Sequence, residues 1–307
     1  MENTIATIGD INYLWGMFML VASARKAGMK EPFVVGCKAF TPEARRVLEQ
    51  FGGVSFVPLD DATRSLTCYK ARVMLKAATS FVTWADSDAF FTGDVSDRLA
   101  PVDEGEIHFR LRGSAELPGA SWMKRFGCDG SAVPRPVLEA WRRDVGEVAG
   151  AAVEEPRFTT TGSACFCSLS LARHRRFLEI WHELQMKVLP EKDVGVADRS
   201  LVFYPQLDES TLNACLMFAP DAPRVQEVFR MNKERDRLFV HFIAQPKPWK
   251  GWTKAAFCFF DEYVGVLDWA VGQGLELPGP VPPSLMASRK RRLSWLIPWM
   301  AHAAVRA

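Results

Sequence analysis

Two carboxylates close an apolar run at Trp84-Ala85-Asp86-Ser87-Asp88. Far downstream an imidazole, His241, stands in Val-His-Phe-Ile-Ala-Gln-Pro-Lys-Pro-Trp. The residues before Asp86 (Ser80, Phe81, Val82, Thr83 and Trp84) are mostly aromatic or β-branched and read as a buried strand. Aspartates at i and i+2 where a strand leaves its sheet can both turn toward one cation. Open α/β sheets bind ligands just beyond the carboxyl ends of their strands. Hard oxygen ligands suit Mg²⁺ or Mn²⁺, and an added imidazole tilts the choice toward Mn²⁺. A divalent ion there would neutralise a diphosphate, which is what an enzyme with a nucleoside diphosphate leaving group requires.

The elements that must carry these residues follow from the pattern of apolar side chains. Ile5 to Ile8, Pro32 to Cys37 and Val54 to Leu59 read as short strands. Between them lie a helix over Leu14 to Lys26, apolar all round and so buried, and a helix opened by Thr41, Pro42 and Glu43 as N-cap, first-turn proline and first-turn acid. Arg64 to Thr79 reads as one amphipathic helix leading into the Asp-bearing strand. Further on, Glu106 to Leu111 and Ser163 to Leu169 are strands, and Val137 to Val148, Ala172 to Val188 and Asp208 to Met217 are helices. Gly113 to Gly130 reads as a long glycine-rich loop, and Lys254 to Val271 closes the globular part. Strands alternating with helices predict a doubly wound, mixed but mainly parallel sheet. The expected organisation is a single α/β domain over residues 1–275, followed by a proline-rich linker and basic tail over 276–307.

Bulk composition narrows the classes. The chain has 307 residues, 48% hydrophobic and 24% charged, with a formal net charge of +2, so nothing global draws it to nucleic acid. The charge is uneven. Arg289, Lys290, Arg291, Arg292 and Arg306 are unopposed by acids, which leaves the remainder near −3. Seven cysteines without a C-x-x-C spacing, most in apolar segments, read as reduced packing residues in a reducing compartment. The start of the chain has no basic, apolar leader pattern, and no uncharged apolar stretch reaches about 18 residues, so a cytoplasmic protein without a spanning helix is expected.

Four separated segments together resemble the family 8 glycosyltransferases, retaining, metal-dependent enzymes with a single GT-A (Rossmann-like) domain. Ala6-Thr7-Ile8-Gly9-Asp10 with Tyr13 resembles the family's first strand and nucleotide-binding turn, and Asp86-Ser87-Asp88 its D-x-D. Asp208-Glu209-Ser210-Thr211-Leu212-Asn213 resembles D-Q-x-x-L-N, and His241 to Trp249 resembles H-F-x-G-x-x-K-P-W. The likeness spans roughly residues 5 to 250. It implies Asp86, Asp88 and His241 as metal ligands, with Asp86 and Ser87 also near the donor, and Lys247 holding the departing diphosphate. Thr7, Gly9 and Asp10 would line the nucleotide turn, and Tyr13 would stack on the base. Lys70 or Arg72, on different faces of one helix, would meet the donor, with the other an ordinary exposed charge. Thr160 and Gly162 stand at the sugar-contacting position, and Asp208 and Glu209 near the anomeric carbon.

Three positions depart from the family pattern. Ala244 replaces a glycine. Thr160-Thr161-Gly162 stands where Asn-Ser-Gly is common. Glu209 replaces a glutamine and puts a carboxylate where an oxocarbenium ion would form, although a first-turn acid also favours the helix dipole. The resemblance implies transfer of a hexose from a UDP-sugar, glucose or galactose, with Mn²⁺ or Mg²⁺, to a glycan or glycolipid such as lipopolysaccharide or exopolysaccharide. Arg289-Lys290-Arg291-Arg292 before Leu293, Trp295, Leu296, Ile297 and Trp299 fits a helix lying on an anionic membrane at the cytoplasmic face, or a tail packed on the domain. Two other readings stand beside the transferase. A nucleotidyltransferase would want a glycine-rich basic loop that Ile8 to Asn12 lacks. A degenerate, non-catalytic glycan- or membrane-binding fold would explain the departures but not the persistence of Asp86, Asp88, His241 and Lys247. Oligomeric state is not encoded in any of these features.

Overall fold

The computed structural model describes residues 2–111, 119–127, 132–227, 238–243 and 245–286. Seven strands form one sheet: β1 (Asn3–Asp10), β2 (Phe33–Lys38), β3 (Val54–Pro58), β4 (Phe81–Ala85), β6 (Glu106–Leu111), β7 (Gly162–Ser170) and β8 (Arg224–Gln226). Their spatial order is β3-β2-β1-β4-β7-β6-β8. β7 alone runs against its neighbours; all other pairings are parallel. A separate two-stranded ribbon joins β5 (Ala89–Phe91) to β9 (Phe239–His241), antiparallel.

Alternate strand residues enter two cores. One face of the sheet, with Ala6, Ile8, Val82 and Trp84, packs under α3 (Lys70–Met74), α6 (Arg135–Ala149), α7 (Leu171–Val188) and α8 (Leu207–Phe218). The other, with Ile5, Phe33, Val35 and Ala85, is covered by α1 (Leu14–Lys26), α2 (Pro42–Glu49) and α9 (Phe260–Gly272). Two short helices complete the set, α4 (Ser96–Leu99) and α5 (Gly119–Phe126). α1 is buried from Leu14 through Ala24 apart from Trp15, as its all-apolar surface requires. Ser23 ties α1 to the ribbon, its hydroxyl accepting from Phe91 N at 3.0 Å and donating to Leu20 O. Thr41 caps α2 by accepting from Ala44 N at 3.2 Å, with Pro42 in the first turn.

The structure corrects three expectations. Arg64 to Thr79 is not one helix: a 3₁₀ turn over Leu66–Tyr69 leads into α3, only five residues long, and both Lys70 and Ala71 are buried. The glycine-rich segment contains α5, while 112–118 and 128–131 lie outside the described residues. The proline-rich stretch, expected as a semi-rigid linker, is packed on the domain over its described residues. Glu276 pairs with Arg46, Gln50 bonds to the Glu276 backbone, Leu285 is buried, and Trp252 Nε1 donates to Ser284 O at 2.9 Å. The basic tail over 289–307 and Ala244 lie outside the described residues. Among the described residues no helix is long and apolar enough to cross a membrane. Five of the six described cysteines are buried, and none of the six forms a disulfide among the described residues.

Candidate active site

β4 is buried along its whole length and ends at Ala85, at the carboxyl edge of the sheet, so Asp86 and Asp88 emerge where the strand order turns from β1 to β7. The turn is fixed by backbone bonds: Asp86 N donates to Cys165 O at 3.0 Å and Ala89 N to Asp86 O at 3.0 Å. β5 then pairs with β9 in a register that sets Ala89 opposite His241, and Phe242 N donates to Asp88 O at 3.0 Å. Antiparallel pairing thus carries an imidazole from the far end of the chain to the two carboxylates. Gly16 in α1 lets this turn lie against the helix, since a Cβ there would meet Ser87 O at 2.3 Å and the Trp249 ring at 2.5 Å.

His241 Nε2 lies 3.1 Å from Asp88 Oδ1 and 3.4 Å from Asp86 Oδ2. The ligand atoms of Asp86, Asp88 and His241 all lie within 4.8 Å of one another. Donors around a six-coordinate ion at about 2.1 Å would be about 3 Å apart, so these residues fit Mg²⁺ or Mn²⁺, and the nitrogen favours Mn²⁺. Each carboxylate spends its other oxygen on an ammonium. Asp86 Oδ1 accepts from Lys70 Nζ at 2.7 Å and from Trp84 Nε1 at 2.8 Å, and Asp88 Oδ2 accepts from Lys247 Nζ at 2.6 Å. Lys70 also reaches Asp208 Oδ2 at 2.8 Å and Ala164 O at 3.0 Å. Lys247 further donates to the carbonyls of Phe242 and Ile243. Each ammonium therefore has three acceptors for its three protons.

One buried carboxylate, Asp208, and two half-buried ones, Asp86 and Asp88, face two ammoniums and the His241 imidazole. Burial by itself would lower the Lys70 pKa; Asp208 and Asp86 outweigh it and hold the ammonium protonated. Burial would likewise raise the Asp88 carboxyl, but His241 and Lys247 hold it well below the usual carboxylate range. For Asp208 burial leads, Lys70 pulls back and Asp86 adds to the rise, so its carboxyl titrates above the ordinary range. Burial works against charge on His241 too, and Asp88 and the Cys165 thiol raise its pKa well above the ordinary value. A dication held by Asp86, Asp88 and His241 would replace the positive charge that the imidazolium otherwise supplies.

A cavity of about 200 Å³ opens beside this corner. It is lined by Gly9, Asp10 and Tyr13, by Lys70, Asp86, Ser87 and Asp88, and by Ser65 to Thr67 with Asp193, Gly195 and Val196. Asp10 caps the 3₁₀ turn Ile11–Tyr13 by accepting from Asn12 N at 2.9 Å. The Tyr13 ring meets Trp249 edge-on at 5.6 Å, and burial and then Asp88 keep its phenol protonated. Asp208, His241 and Lys247 do not line it but are bonded to residues that do.

Three expected site residues fall elsewhere. Thr7 is fully buried within β1 and does not line the cavity. Arg72 points away, pairing with Asp61 at 3.1 Å and lying over the Tyr69 ring. Gly162 is closed by packing: a Cβ would meet the Phe109 ring at 2.0 Å, and Asn213 clamps its peptide from both sides. Thr160 is half-buried just before β7, and Glu209 is half-buried in the first turn of α8, its carbonyl accepting from Asn213 Nδ2 at 2.7 Å. Gly16, Trp84, Thr67 and Asp193 were not found from sequence. A glycine inside an otherwise apolar helix was the one available signal for Gly16; the others depend on tertiary contacts.

No protein-family model matches the chain, and no curated protein matches it. Solved structures do. The galactosyltransferase LgtC in complex with donor and acceptor sugar analogues matches with a TM-score of 0.52 at 13% identity, over 85% of this chain and 95% of that one. The apo form of the glycosyltransferase GlyE from Streptococcus pneumoniae TIGR4 matches with a TM-score of 0.51 at 13% identity, over 91% of this chain and 65% of that one. The apo bifunctional glycosyltransferase WbbM matches with a TM-score of 0.50 at 11% identity, over 86% of this chain. The chain spans about half the length of WbbM, 49%, and just under two thirds of GlyE. Identities this low establish a shared fold. The mixed seven-stranded sheet, with its acidic turn at the carboxyl end of β4, is a GT-A architecture, and these structural neighbours are glycosyltransferases.

Proposed function

We propose that this protein is a metal-dependent, retaining glycosyltransferase that moves a hexose from a UDP-sugar, glucose or galactose, to a glycan or glycolipid. The observation that carries the reading is the convergence of Asp86, Asp88 and His241 beside a cavity walled by Asp10 and Tyr13. Asp86, Asp88 and His241 would hold the ion, which when bound supplies neutralising positive charge to the leaving diphosphate. Tyr13 offers an aromatic face for the base. Lys70 fixes Asp86 and Asp208 with one ammonium, so the residue nearest the ion and the residue nearest the sugar are set in one geometry. Lys247 is the cation available to the diphosphate once it leaves Asp88.

In the reaction, the bond from the anomeric carbon to the diphosphate oxygen breaks. The acceptor hydroxyl oxygen bonds to that carbon on the same face, and its proton passes to the departing diphosphate. Asp208 orients the sugar or acceptor, and Glu209 supplies a carboxylate to the oxocarbenium character that develops. The test is Mn²⁺-dependent release of UDP from a panel of sugar nucleotides without acceptor. Slow hydrolysis of one donor, lost in EDTA and in Asp88→Asn, is expected; full activity in Asp88→Asn overturns the reading.

The tail over 289–307 is proposed to rest on an anionic membrane at the cytoplasmic face. Truncation after Ser288 is expected to abolish co-sedimentation with anionic vesicles while leaving donor hydrolysis intact. Unchanged vesicle binding rules the anchor out.

A further inference from the structure

β7 leaves its register with β6 where it passes the corner. Ile107 to Phe109 pair in step with Leu169 to Cys167, but Arg110 then pairs with Ser163, so Ala164, Cys165 and Phe166 have no partner in β6. On this stretch β7 keeps its ladder with β4, where Phe166 stands opposite Ala85. A bulge of this kind frees backbone groups from one side of the ladder. Here the corner takes them up. Ala164 O accepts from Lys70 Nζ at 3.0 Å, and Cys165 O accepts from Asp86 N at 3.0 Å.

Just before the bulge a side chain stands in for a neighbouring strand. Asn213, fully buried in α8, accepts from Gly162 N at 2.6 Å through Oδ1 and donates to Gly162 O at 2.9 Å through Nδ2. Its Nδ2 also donates to Glu209 O at 2.7 Å, so both carboxamide protons have acceptors. A second tie joins the same two elements. Asp208 Oδ2, in the first turn of α8, lies 2.8 Å from Lys70 Nζ, and Lys70 returns to Ala164 O, two residues past Gly162. The bonds form a closed ring from Gly162 through Asn213, the first turn of α8 and Lys70 back to β7. Lys70 is also the ammonium on Asp86.

We infer that Asn213 is a positioning residue: by tying Gly162 to the first turn of α8 it fixes the bulge of β7, and through Lys70 it sets Asp208 and Asp86 in one geometry for the ion and the donor. This rests on the donor reading above and adds to it a residue that is fully buried and does not line the cavity. An amide that only stabilised α8 would bond within the helix. This one spends two of its three bonds on β7, at the strand position from which the bulge starts. A misplacement of about 1 Å at a reacting centre can cost about a hundredfold in rate, so such a tie bears on turnover.

The experiment compares Asn213→Ser, Asn213→Asp and Cys215→Ala in the full-length protein. Amide hydrogen exchange is followed without ligand, and donor hydrolysis is followed per folded molecule at saturating Mn²⁺. Serine is too short to reach Gly162 and Glu209 together. Aspartic acid keeps an oxygen for Gly162 N and, held protonated by burial, one of the two donated protons, which keeps the test decisive where serine fails to fold. Cys215→Ala shortens another fully buried side chain of α8 and controls for general softening of the helix. In Asn213→Ser, kcat is expected to fall about tenfold or more with the donor KM within about twofold. The amides of Asp86 to Ala89 should exchange about tenfold faster, and Asn213→Asp should fall between this variant and wild type. Cys215→Ala should lower the thermal midpoint and leave kcat and that exchange unchanged. Faster exchange confined to α8 and the start of β7, wild-type kcat in both Asn213 variants, or equal kcat losses in all three variants overturns the assignment. If wild type hydrolyses no sugar nucleotide, the donor reading falls, and exchange at Asp86 to Ala89 alone decides whether Asn213 holds the corner.

Discussion

The two sides of the cavity are built on opposite plans. At the Asp86–His241 corner every ammonium proton has an acceptor, and each of the two ligand carboxylates is shared between an ammonium and the imidazole. Where Asp193 lines the cavity, one of its carboxylate oxygens is taken by Ser65 and Gly195 and the other is left open among the described residues. The difference follows from charge. Carboxylates crowded together and largely shielded from water need counter-ions while they wait for a ligand, and Lys70 and Lys247 supply them. Asp193 is exposed, so water covers its open oxygen at small cost. The corner is therefore part of the fold's stability, and the open oxygen of Asp193 is not.

Removing Lys70 is the strongest way to break that contrast. Lys70→Ala would leave the buried Asp208 and the half-buried Asp86 without their shared cation and should cost about 3–5 kcal/mol of stability with loss of all turnover. Chemical denaturation of the variant gives the number, and a cost near that of a surface lysine would remove the structural half of the comparison. Next in size is Gly16→Ala. Alanine favours a helix, yet here its Cβ would be driven into the Ser87 carbonyl and the Trp249 ring. A loss of about 1–3 kcal/mol, with weakened Mn²⁺ binding, is expected from denaturation and metal titration.

Lys247→Gln sharpens the contrast without breaking the fold. Lys247 and a divalent ion compete for Asp88, so the variant should bind Mn²⁺ at least about fivefold more tightly in the absence of nucleotide and UDP more weakly in its presence. Weaker Mn²⁺ binding would mean that Lys247 shapes Asp88 instead of competing for it. The smallest effect concerns histidines away from the corner. Burial holds His108, His174 and His182 neutral, with pKa values below the ordinary 6.5. The unfolded chain takes up protons near that pH that the folded chain refuses. The stability these three contribute is therefore full above pH 6.5 and is lost as the pH drops through and below it, while His241, with its raised pKa, contributes in the opposite sense; thermal unfolding from pH 7.5 to 5.5 of wild type against the single variants separates the two. His108→Gln should flatten the slope, and an unchanged slope would deny His108 its share.

The corner was legible in the sequence because its residues sit at strand ends that carry their own signal: an apolar run closed by two aspartates, and an imidazole within a proline-bracketed motif. α1 and α2 were equally plain, one from its wholly apolar surface and the other from Thr41 and Pro42. The choice between Lys70 and Arg72 stayed open because a regular helix over Arg64 to Thr79 would put them on different faces without saying which face turns inward. Only the tertiary approach of Asp86 and Asp208 makes the burial of Lys70 tolerable. β5, β8 and β9, three residues each, are too short to show a period and exist because of what pairs with them. The Asp193 side of the cavity was invisible for the same reason, since its defining bond joins Ser65 to a loop more than a hundred residues away.

The decisive measurement is binding of Mn²⁺ to the nucleotide-free protein, followed by the loss of the free ion's electron paramagnetic resonance signal. One ion per chain is predicted, weakened by about tenfold or more in Asp88→Asn and again in His241→Gln, with both variants folded. Wild-type affinity in both variants would mean that the β5–β9 ribbon does not bring a ligand to the two aspartates.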